Sequence, residues 1–211
     1  MIDIRYQYDG TAPDYDQITR LSGYDRVPPR LVAAFQQAAG LTPAMRVLDF
    51  GCGTGKLTQA ICDTGAAVDI TGLEPCLAMA EQFTKRFQGR RNITFKRGGY
   101  TDRLPLPDAD FNAVLSSGVF DHIRITPDVM KEFMRVIKPR GYLAFTYERH
   151  SRLFPFAHMR WGGGAIYSHQ DSHVQDCLEQ AGAKILKHER LFGYFYFHLA
   201  RMGLFVAQKP G

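Results

Sequence analysis

The residues with the clearest chemical meaning are three glycines and two acids. Gly51, Gly53 and Gly55 stand at alternate positions. They follow the acid Asp49 and precede a helical pattern, which predicts a strand, a tight turn and a helix. Glycine lets the backbone of such a turn approach a ligand closely, because it has no Cβ. Glu74 follows the next predicted strand, where a carboxylate can accept both hydroxyls of a ribose. These residues together predict a nucleotide-sized binding site.

The spacing of the glycines argues against two common nucleotide-binding motifs. The dinucleotide fingerprint G-x-G-x-x-G needs its third glycine where this chain has Lys56. A P-loop needs a different spacing to its lysine and a Ser or Thr directly after it. A tight strand–helix turn without any ligand stays open on this motif alone.

Strand and helix patterns alternate from residue 44 onward, which predicts a doubly wound, mostly parallel α/β sheet with helices on both faces. The expected strands are 45–50, 67–73, 92–98, 110–117, 140–147, 183–191 and 195–207, and the expected helices are 55–64, 75–88, 126–138 and 168–182. Thr126-Pro127 and Ser168–Asp171 carry helix-start signals. Too few residues separate the last two strands for a crossover helix, so they should form an antiparallel hairpin.

The N-terminal segment carries four tyrosines, Tyr6, Tyr8, Tyr15 and Tyr24, outside the alternating pattern. Any one of them could simply pack in the core, but four together suggest an aromatic lid over a ligand. The whole chain is expected to be a single domain. Its parts are a helical lid (1–40), a binding core (41–147), a substrate-cover loop (148–167) and a final helix with hairpin (168–211).

Composition limits the partners of the chain. Its 211 residues carry a net charge of +5 without any run of Lys or Arg, so nucleic acid is not supported as a partner. The four cysteines form no C-x-x-C pair and resemble reduced thiols. No long apolar span or leader pattern occurs, so we expect a soluble, cytoplasmic protein without a membrane partner. The oligomeric state stays open.

Four stretches in this order resemble motifs of the class I S-adenosylmethionine-dependent methyltransferases. The first is the glycine turn, in the pattern hydrophobic-hydrophobic-Asp-x-Gly-x-Gly-x-Gly, and the second is Glu74. The third stretch runs from Gly99 to Asn112, and the fourth from Leu115 to Ile123. The resemblance covers about residues 40–147 closely. It implies a seven-stranded Rossmann-like sheet, S-adenosyl-L-methionine as cofactor, S-adenosyl-L-homocysteine as product, and methyl transfer as the activity.

The first two stretches imply the part of the site that holds methionine and ribose. Gly51, Gly53 and Gly55 would approach the methionine moiety, and Asp49 would orient their turn. Glu74 would bind the ribose hydroxyls. Two neighbours, Cys52 as a small side chain in the turn and Pro75 at the first turn of the next helix, complete this part of the predicted site.

The third and fourth stretches imply the adenine and methyl ends of the site. Tyr100 stands where the family usually has the aspartate that binds the adenine amino group. Thr101 would still offer its backbone N–H to the ring, and Asp102 would reach the amino group instead. Ser117 and Gly118 would lie under the methionine part by backbone contact. A related turn, Ile137-Lys138-Pro139-Arg140-Gly141, has Arg140 in place of the family's first glycine.

The candidate catalytic residues follow the fourth and fifth strands. A sulfonium methyl is already activated, so the protein mainly aligns the acceptor and excludes water. An oxygen or nitrogen acceptor also needs a base, for which His122, Tyr147 and His150 are the candidates. We expect a small-molecule acceptor. A protein or RNA acceptor, or a cofactor-binding regulator without transfer activity, stays open as an alternative.

A metal site is not predicted. His169 and His173 share a helix face at a spacing that can bind metal, but the chain lacks the H-E-x-x-H pattern around them.

Overall fold

The computed structural model describes residues 8–149, 167–195 and 198–211. The helices are α1 (Tyr15–Ser22), α2 (Val27–Ala38), α3 (Lys56–Cys62), α4 (Leu77–Arg86), α5 (Pro127–Val136) and α6 (Asp171–Gln180), with a short 3₁₀ helix at Tyr24–Arg26. The strands are β1 (Arg46–Phe50), β2 (Asp69–Glu74), β3 (Ile93–Arg97), β4 (Phe111–Ser116), β5 (Ile137–Glu148), β6 (Lys184–Phe195) and β7 (His198–Gln208).

The seven strands form one sheet in the order β3-β2-β1-β4-β5-β7-β6. Neighbouring strands are parallel from β3 across to β5. Strand β7 lies between β5 and β6 and is antiparallel to both. The predicted doubly wound sheet with a terminal antiparallel hairpin is therefore confirmed. Strand order reverses between β1 and β4, and in sheets of this kind ligands bind outside the strand ends at that point.

Apolar side chains cover both faces of the sheet. In β1, Leu48 and Phe50 belong to the cluster on the face of α5 and α6, whereas Val47 belongs to the cluster with α2 and α3. All three side chains are at most 2% exposed. A strand buried on both faces reads as a continuous apolar run, which is why the sequence pattern predicted its place correctly.

Helix starts were predicted with mixed success. Thr126 caps α5 as expected, since its hydroxyl accepts a hydrogen bond from the backbone N–H of Val129 at 3.2 Å. The predicted capping box at Ser168 is wrong, because α6 begins three residues later and Gln170 precedes it without a side-chain cap. His169 instead pairs with Arg149 as an isolated parallel bridge just beyond the end of β5, which keeps His169 out of the helix.

The turn into β5 contains a residue in the left-handed region. Arg140 has a φ of 63°, in the position where the resembling family has glycine. Glycine adopts this conformation without steric cost, whereas another residue is strained there. These residues lie at the amino-terminal end of β5, away from the carboxyl ends of the strands, and their structural role stays a prediction. None of the helices in the described segments combines the length and apolar character needed to cross a membrane.

Candidate active site

A cavity of about 840 Å³ opens at the carboxyl ends of β1, β2 and β4. Ten of the residues predicted to form the site line it: Gly51, Cys52, Gly53, Glu74, Pro75, Tyr100, Thr101, Ser117, Gly118 and His122. The volume falls within the range of roughly 300–1,000 Å³ that small-molecule sites occupy. The fold thus brings residues from four separate stretches of the chain to one cavity.

The glycine turn is held from behind by Asp49. The Asp49 carboxylate accepts hydrogen bonds from the backbone N–H and the hydroxyl of Thr58, at 3.0 and 2.6 Å. Burial raises the pKa of Asp49 to about 7, although the two bonds from Thr58 oppose the rise. Asp49 does not line the cavity. Its contacts therefore fix the first turn of α3 against β1, which agrees with the predicted role of orienting the turn.

At two positions of the turn, both the backbone conformation and the close packing of neighbouring side chains favour glycine. Gly51 and Gly55 have φ values of 68° and 91°. A Cβ on Gly51 would lie 2.3 Å from the side chain of Val119, and one on Gly55 would lie 2.4 Å from Phe87. Gly55 does not line the cavity. Its described contacts are with the packed phenylalanine side chains rather than with the space where a ligand could bind.

Glu74 lies at the end of β2 with its side chain against the glycine turn. One carboxylate oxygen accepts the backbone N–H of Gly53 at 3.1 Å, and the other accepts that of Cys76 at 2.8 Å. The residue is 8% exposed, and burial raises the pKa of its carboxyl, while the two backbone bonds oppose the rise. Each oxygen retains acceptor capacity toward the cavity, which a ribose hydroxyl could use.

The end of the cavity beyond Glu74 is formed by the segment after β3. Tyr100 is half-buried and packs against the core, and Thr101 lines the cavity beside it. Asp102 is exposed and does not line the cavity, so its predicted reach to the adenine amino group has no support in this arrangement. Arg97 and Met79 line this end and were not predicted. The only sequence feature that could have indicated Arg97 is its place at the end of β3, where it lies in register with Glu74 on β2.

The opposite end of the cavity rests on the segment that leaves β4. The backbone N–H of Gly118 donates to the hydroxyl of Thr146 on β5 at 3.1 Å. Gly118 has a φ of 69°, and a Cβ there would collide with the hydroxyl of Tyr24. The Tyr24 hydroxyl therefore packs directly against the backbone of Gly118, which was predicted to lie under the methionine part of the cofactor.

Three tyrosines of the N-terminal segment form a wall of the same cavity. Tyr8, Tyr15 and Tyr24 line it, while Tyr6 lies outside the described residues. The rings of Tyr8 and Tyr15 meet edge to face, with centroids 5.9 Å apart. Burial raises the pKa of all three phenols well above the usual value. These hydroxyls therefore stay protonated at neutral pH and act as neutral polar groups in an aromatic wall.

The N-terminal segment is fastened to the glycine turn through Asp16. One carboxylate oxygen of Asp16 accepts the hydroxyl of Thr54 at 2.7 Å, and the other pairs with Arg86 of α4. Lys56 bonds the backbone oxygen of Asp16 at 3.3 Å and also contacts the hydroxyl of Thr19. No motif at either end of these contacts predicts them, so the sequence interpretation missed them.

His122 lies at the meeting point of the tyrosine wall and the end of β4. Its Nε2 atom is 2.5 Å from the hydroxyl of Tyr8. The carboxylate of Asp121 lies 3.6 Å from the same nitrogen. At the end of β5, burial and then the charge of Asp121 raise the pKa of the Glu148 carboxyl to about 8. Tyr8 and His122 line the cavity at this point, whereas Asp121 and Glu148 lie outside its lining.

The other predicted catalytic residues lie elsewhere. Tyr147 is 1% exposed, packs on Phe205 and donates its hydroxyl to Asp171 at 2.7 Å, away from the cavity lining. His150 and most of the predicted cover loop lie outside the described residues. His169 and His173 stack on each other, and within the described segments no group of three or more His, Cys, Asp or Glu is placed to hold a metal ion.

Comparison with known proteins assigns the chain to a family. A family model described as a methyltransferase domain matches residues 48–145. The demethylmenaquinone methyltransferase of Tropheryma whipplei (strain Twist) is 31% identical over 215 aligned positions, which cover 85% of this chain and 87% of that protein. The chain belongs to the class I S-adenosylmethionine-dependent methyltransferases.

One further relative agrees with the assignment of this methyltransferase, and a solved structure shares its fold. The malonyl-[acyl-carrier protein] O-methyltransferase of Geobacter sulfurreducens is 30% identical over 148 residues, or 69% of this chain and 54% of that protein. Phosphoethanolamine N-methyltransferase 2 of Haemonchus contortus was solved in complex with S-adenosyl-L-methionine. It superposes with a TM-score of 0.80 at 15% identity, covering 100% of this chain and 61% of that one.

As a member of this family, the methyltransferase uses S-adenosyl-L-methionine as its methyl donor. The cavity fits this cofactor, because it combines a glycine turn without side-chain obstruction with an adjacent acid suited to ribose. The predicted roles of individual residues in holding the cofactor stay predictions.

Proposed function

We propose that this methyltransferase transfers a methyl group to a hydroxyl on a small aromatic acceptor, with His122 as the base. The observation that carries the proposal is the 2.5 Å contact between Tyr8 and His122 in the wall of the cavity. The relative from Tropheryma whipplei is named for action on demethylmenaquinone, which supports an acceptor with an aromatic or quinone body. The tyrosine wall suits such a body, since aromatic rings pack well against each other.

The cofactor supplies an activated methyl group when it is bound, and the protein's residues manage the acceptor and its proton. Burial keeps Tyr8 protonated, so its hydroxyl can donate to Nε2 of His122. The acceptor proton passes to the Tyr8 oxygen while the Tyr8 proton passes to Nε2. The acceptor oxygen, freed of its proton, would then form the bond to the methyl carbon as the carbon–sulfur bond of the donor breaks, and the sulfur of S-adenosyl-L-homocysteine would keep the electron pair. Asp121, 3.6 Å from Nε2, partly offsets the positive charge that the ring then carries.

An amine acceptor is the second candidate, and a different observation favours it. The carboxyls of Asp121 and Glu148 are buried behind the tyrosines that line the cavity. Burial keeps the Glu148 carboxyl largely protonated near pH 7, and a cationic amine among these aromatic faces would favour the ionised form of both carboxyls before it loses its own proton. The same base would then remove the proton from nitrogen rather than oxygen.

Acceptor screening tests the proposal. Purified enzyme with S-adenosyl-L-methionine is given paired aromatic acceptors that differ only in carrying a hydroxyl or an amine, and S-adenosyl-L-homocysteine release is measured. We expect turnover of the hydroxyl member of each pair. Preference for the amine member would select the second candidate, and turnover of a protein or RNA substrate alone would contradict both.

Variants of the base test the mechanism. His122→Asn is expected to lower kcat about 10²–10⁴-fold, which is the usual contribution of a general base. Tyr8→Phe should lower kcat too, with cofactor affinity unchanged within about threefold. His188→Gln is the matched control, because His188 lies on β6 outside the cavity lining. Unchanged kcat in His122→Asn would rule out a catalytic role for this residue.

A further inference from the structure

A second cavity, of about 420 Å³, lies beside the first. Its lining residues are Arg124, Tyr167, Ser168, His169, Gln170 and His173. Tyr167 lines both cavities, so one side chain stands between them. The backbone N–H of Tyr167 donates to the carbonyl of Asp121 at 2.6 Å, which fixes this residue next to His122. A molecule seated against His122 could therefore extend past Tyr167 into the second cavity.

Arg124 supplies the positive charge of the second cavity. Its side chain is exposed, and within residues 8–149, 167–195 and 198–211 no carboxylate forms an ion pair with it. A guanidinium presents donors in a planar fork that matches a carboxylate or a phosphate. An arginine that lines a cavity without an internal counter-ion is suited to an anion from outside the chain.

The two histidines of this cavity are held in one orientation by the backbone. Nε2 of His169 lies 3.3 Å from the carbonyl of Phe120, and Nε2 of His173 lies 2.9 Å from that of Ile125. A carbonyl only accepts, so each Nε2 carries its hydrogen and the Nδ1 atom is the remaining polar position. The two rings stack 6.0 Å apart at 11°, and Tyr167 stacks on His169. This three-ring stack gives the second cavity a firm aromatic wall beside Arg124.

We infer that the second cavity binds an anionic group of the methyl acceptor, a carboxylate or a phosphate, with Arg124 as its charged partner. The inference rests on the proposed function, because it takes the reacting hydroxyl to lie by Tyr8 and His122. Tyr167 would then contact the body of the acceptor between its two polar ends. The acceptor class becomes a small aromatic molecule with a hydroxyl at one end and an acid at the other.

Steady-state kinetics of Arg124→Gln test this assignment. Two acceptor series are compared, hydroxynaphthoates and the corresponding naphthols without the carboxylate. For the hydroxynaphthoates we expect Arg124→Gln to raise KM about tenfold or more with kcat nearly unchanged, as loss of one charged contact predicts. The naphthols should show no change beyond twofold. Arg103→Gln is the control, since Arg103 is exposed and lines neither cavity. Equal effects on the two series, or none on either, would overturn the assignment.

A binding experiment separates this inference from the proposed function. Inorganic phosphate is titrated into the complex with S-adenosyl-L-homocysteine while the NMR signals of Tyr167 and His173 are followed. Phosphate should shift these signals in wild type, not in Arg124→Gln, and should compete with hydroxynaphthoate. Binding without competition would mark a separate anion site and contradict the acceptor role, and absence of binding would contradict the anion site. If no acceptor is turned over, the proposed function fails, yet Arg124-dependent phosphate binding would still support the anion site.

Discussion

The side of the cavity predicted to hold the cofactor (the cofactor side) and the side proposed to hold the acceptor (the acceptor side) are assembled from contacts of very different range. On the cofactor side, Asp49 holds Thr58 nine positions away and Glu74 holds Gly53 twenty-one positions away. On the acceptor side, Tyr8 meets His122 across 114 positions. Short-range contacts within a strand–turn–helix unit recur as motifs, whereas long-range contacts depend on how a separate segment docks. The comparison teaches that the glycine turn is set mainly by contacts within β1–α3 and with β2, whereas the surroundings of His122 depend on docking of the N-terminal segment, which also reaches the turn through Asp16.

The largest expected effect tests the packing of the cofactor side. Gly55→Ala places a Cβ 2.4 Å from Phe87 and 3.0 Å from Phe83, at a φ of 91°. We expect a loss of about 2–4 kcal/mol in the free energy of unfolding, because both rings are buried and must move. Gly65→Ala is the matched control, with a φ of 76° and no atom within 4 Å of the added Cβ. It should lose only about 1–2 kcal/mol. If urea unfolding gives equal losses of free energy for the two variants, the contact of the added Cβ with the phenylalanines does not contribute to the destabilisation.

Cofactor affinity tests the same side through Glu74. Glu74→Ala should weaken S-adenosyl-L-methionine binding roughly 10–100-fold, equivalent to about 1.4–2.8 kcal/mol, because the ribose and the glycine turn both lose a carboxylate partner. Isothermal titration calorimetry measures the change. Asp69→Ala, an exposed acid at the other end of β2, should bind as wild type does. Unchanged affinity in Glu74→Ala would remove the ribose role from this residue.

The pH dependence of stability tests the buried acid behind the turn. Burial raises the pKa of Asp49 from 3.8 to about 7, so the folded protein binds this proton more tightly than the unfolded chain. The resulting stabilisation is complete below about pH 4 and is lost as the pH rises toward 7. Between pH 5 and 7.5, wild type should therefore lose about 1 kcal/mol or more relative to Asp49→Asn, which cannot titrate. The free energy of unfolding of both proteins is measured by urea unfolding across this pH range. If the two free energies change in parallel with pH, the Asp49 pKa lies near its ordinary value.

The smallest expected effect tests the docking of the N-terminal segment. Asp16→Asn removes the charge that Arg86 pairs with and weakens the contact to Thr54. The contact is partly exposed and contributes about 1 kcal/mol, so we expect S-adenosyl-L-methionine to dissociate roughly fivefold faster. Stopped-flow displacement gives the rate. Asp14→Asn is the control, because Asp14 precedes the same helix without a side-chain cap bond. An unchanged rate would show that this contact does not limit cofactor release.

Much of the fold could be predicted from the sequence because its signals are local. The apolar run of β1, the glycines after it and the Thr126-Pro127 cap each specify structure within a few residues. The start of α6 was predicted wrongly, since the bridge between His169 and Arg149 depends on a strand twenty residues earlier. No local sequence pattern indicated that Asp16 would contact Thr54 and Arg86. Nothing in the tyrosine spacing indicated which ring would meet His122.

Strand β7 also bears on the order in which the sheet can form. It is the neighbour of both β5 and β6, so β6 has no partner in the sheet until the chain has passed through β7 and turned back. Until then the long edge of β5 presents unpaired backbone groups, which can pair with another chain. Completing the sheet requires contacts between distant positions, such as Tyr142 with Gln208, and such contacts form slowly. The period before β7 inserts is therefore when this protein is most exposed to misassembly.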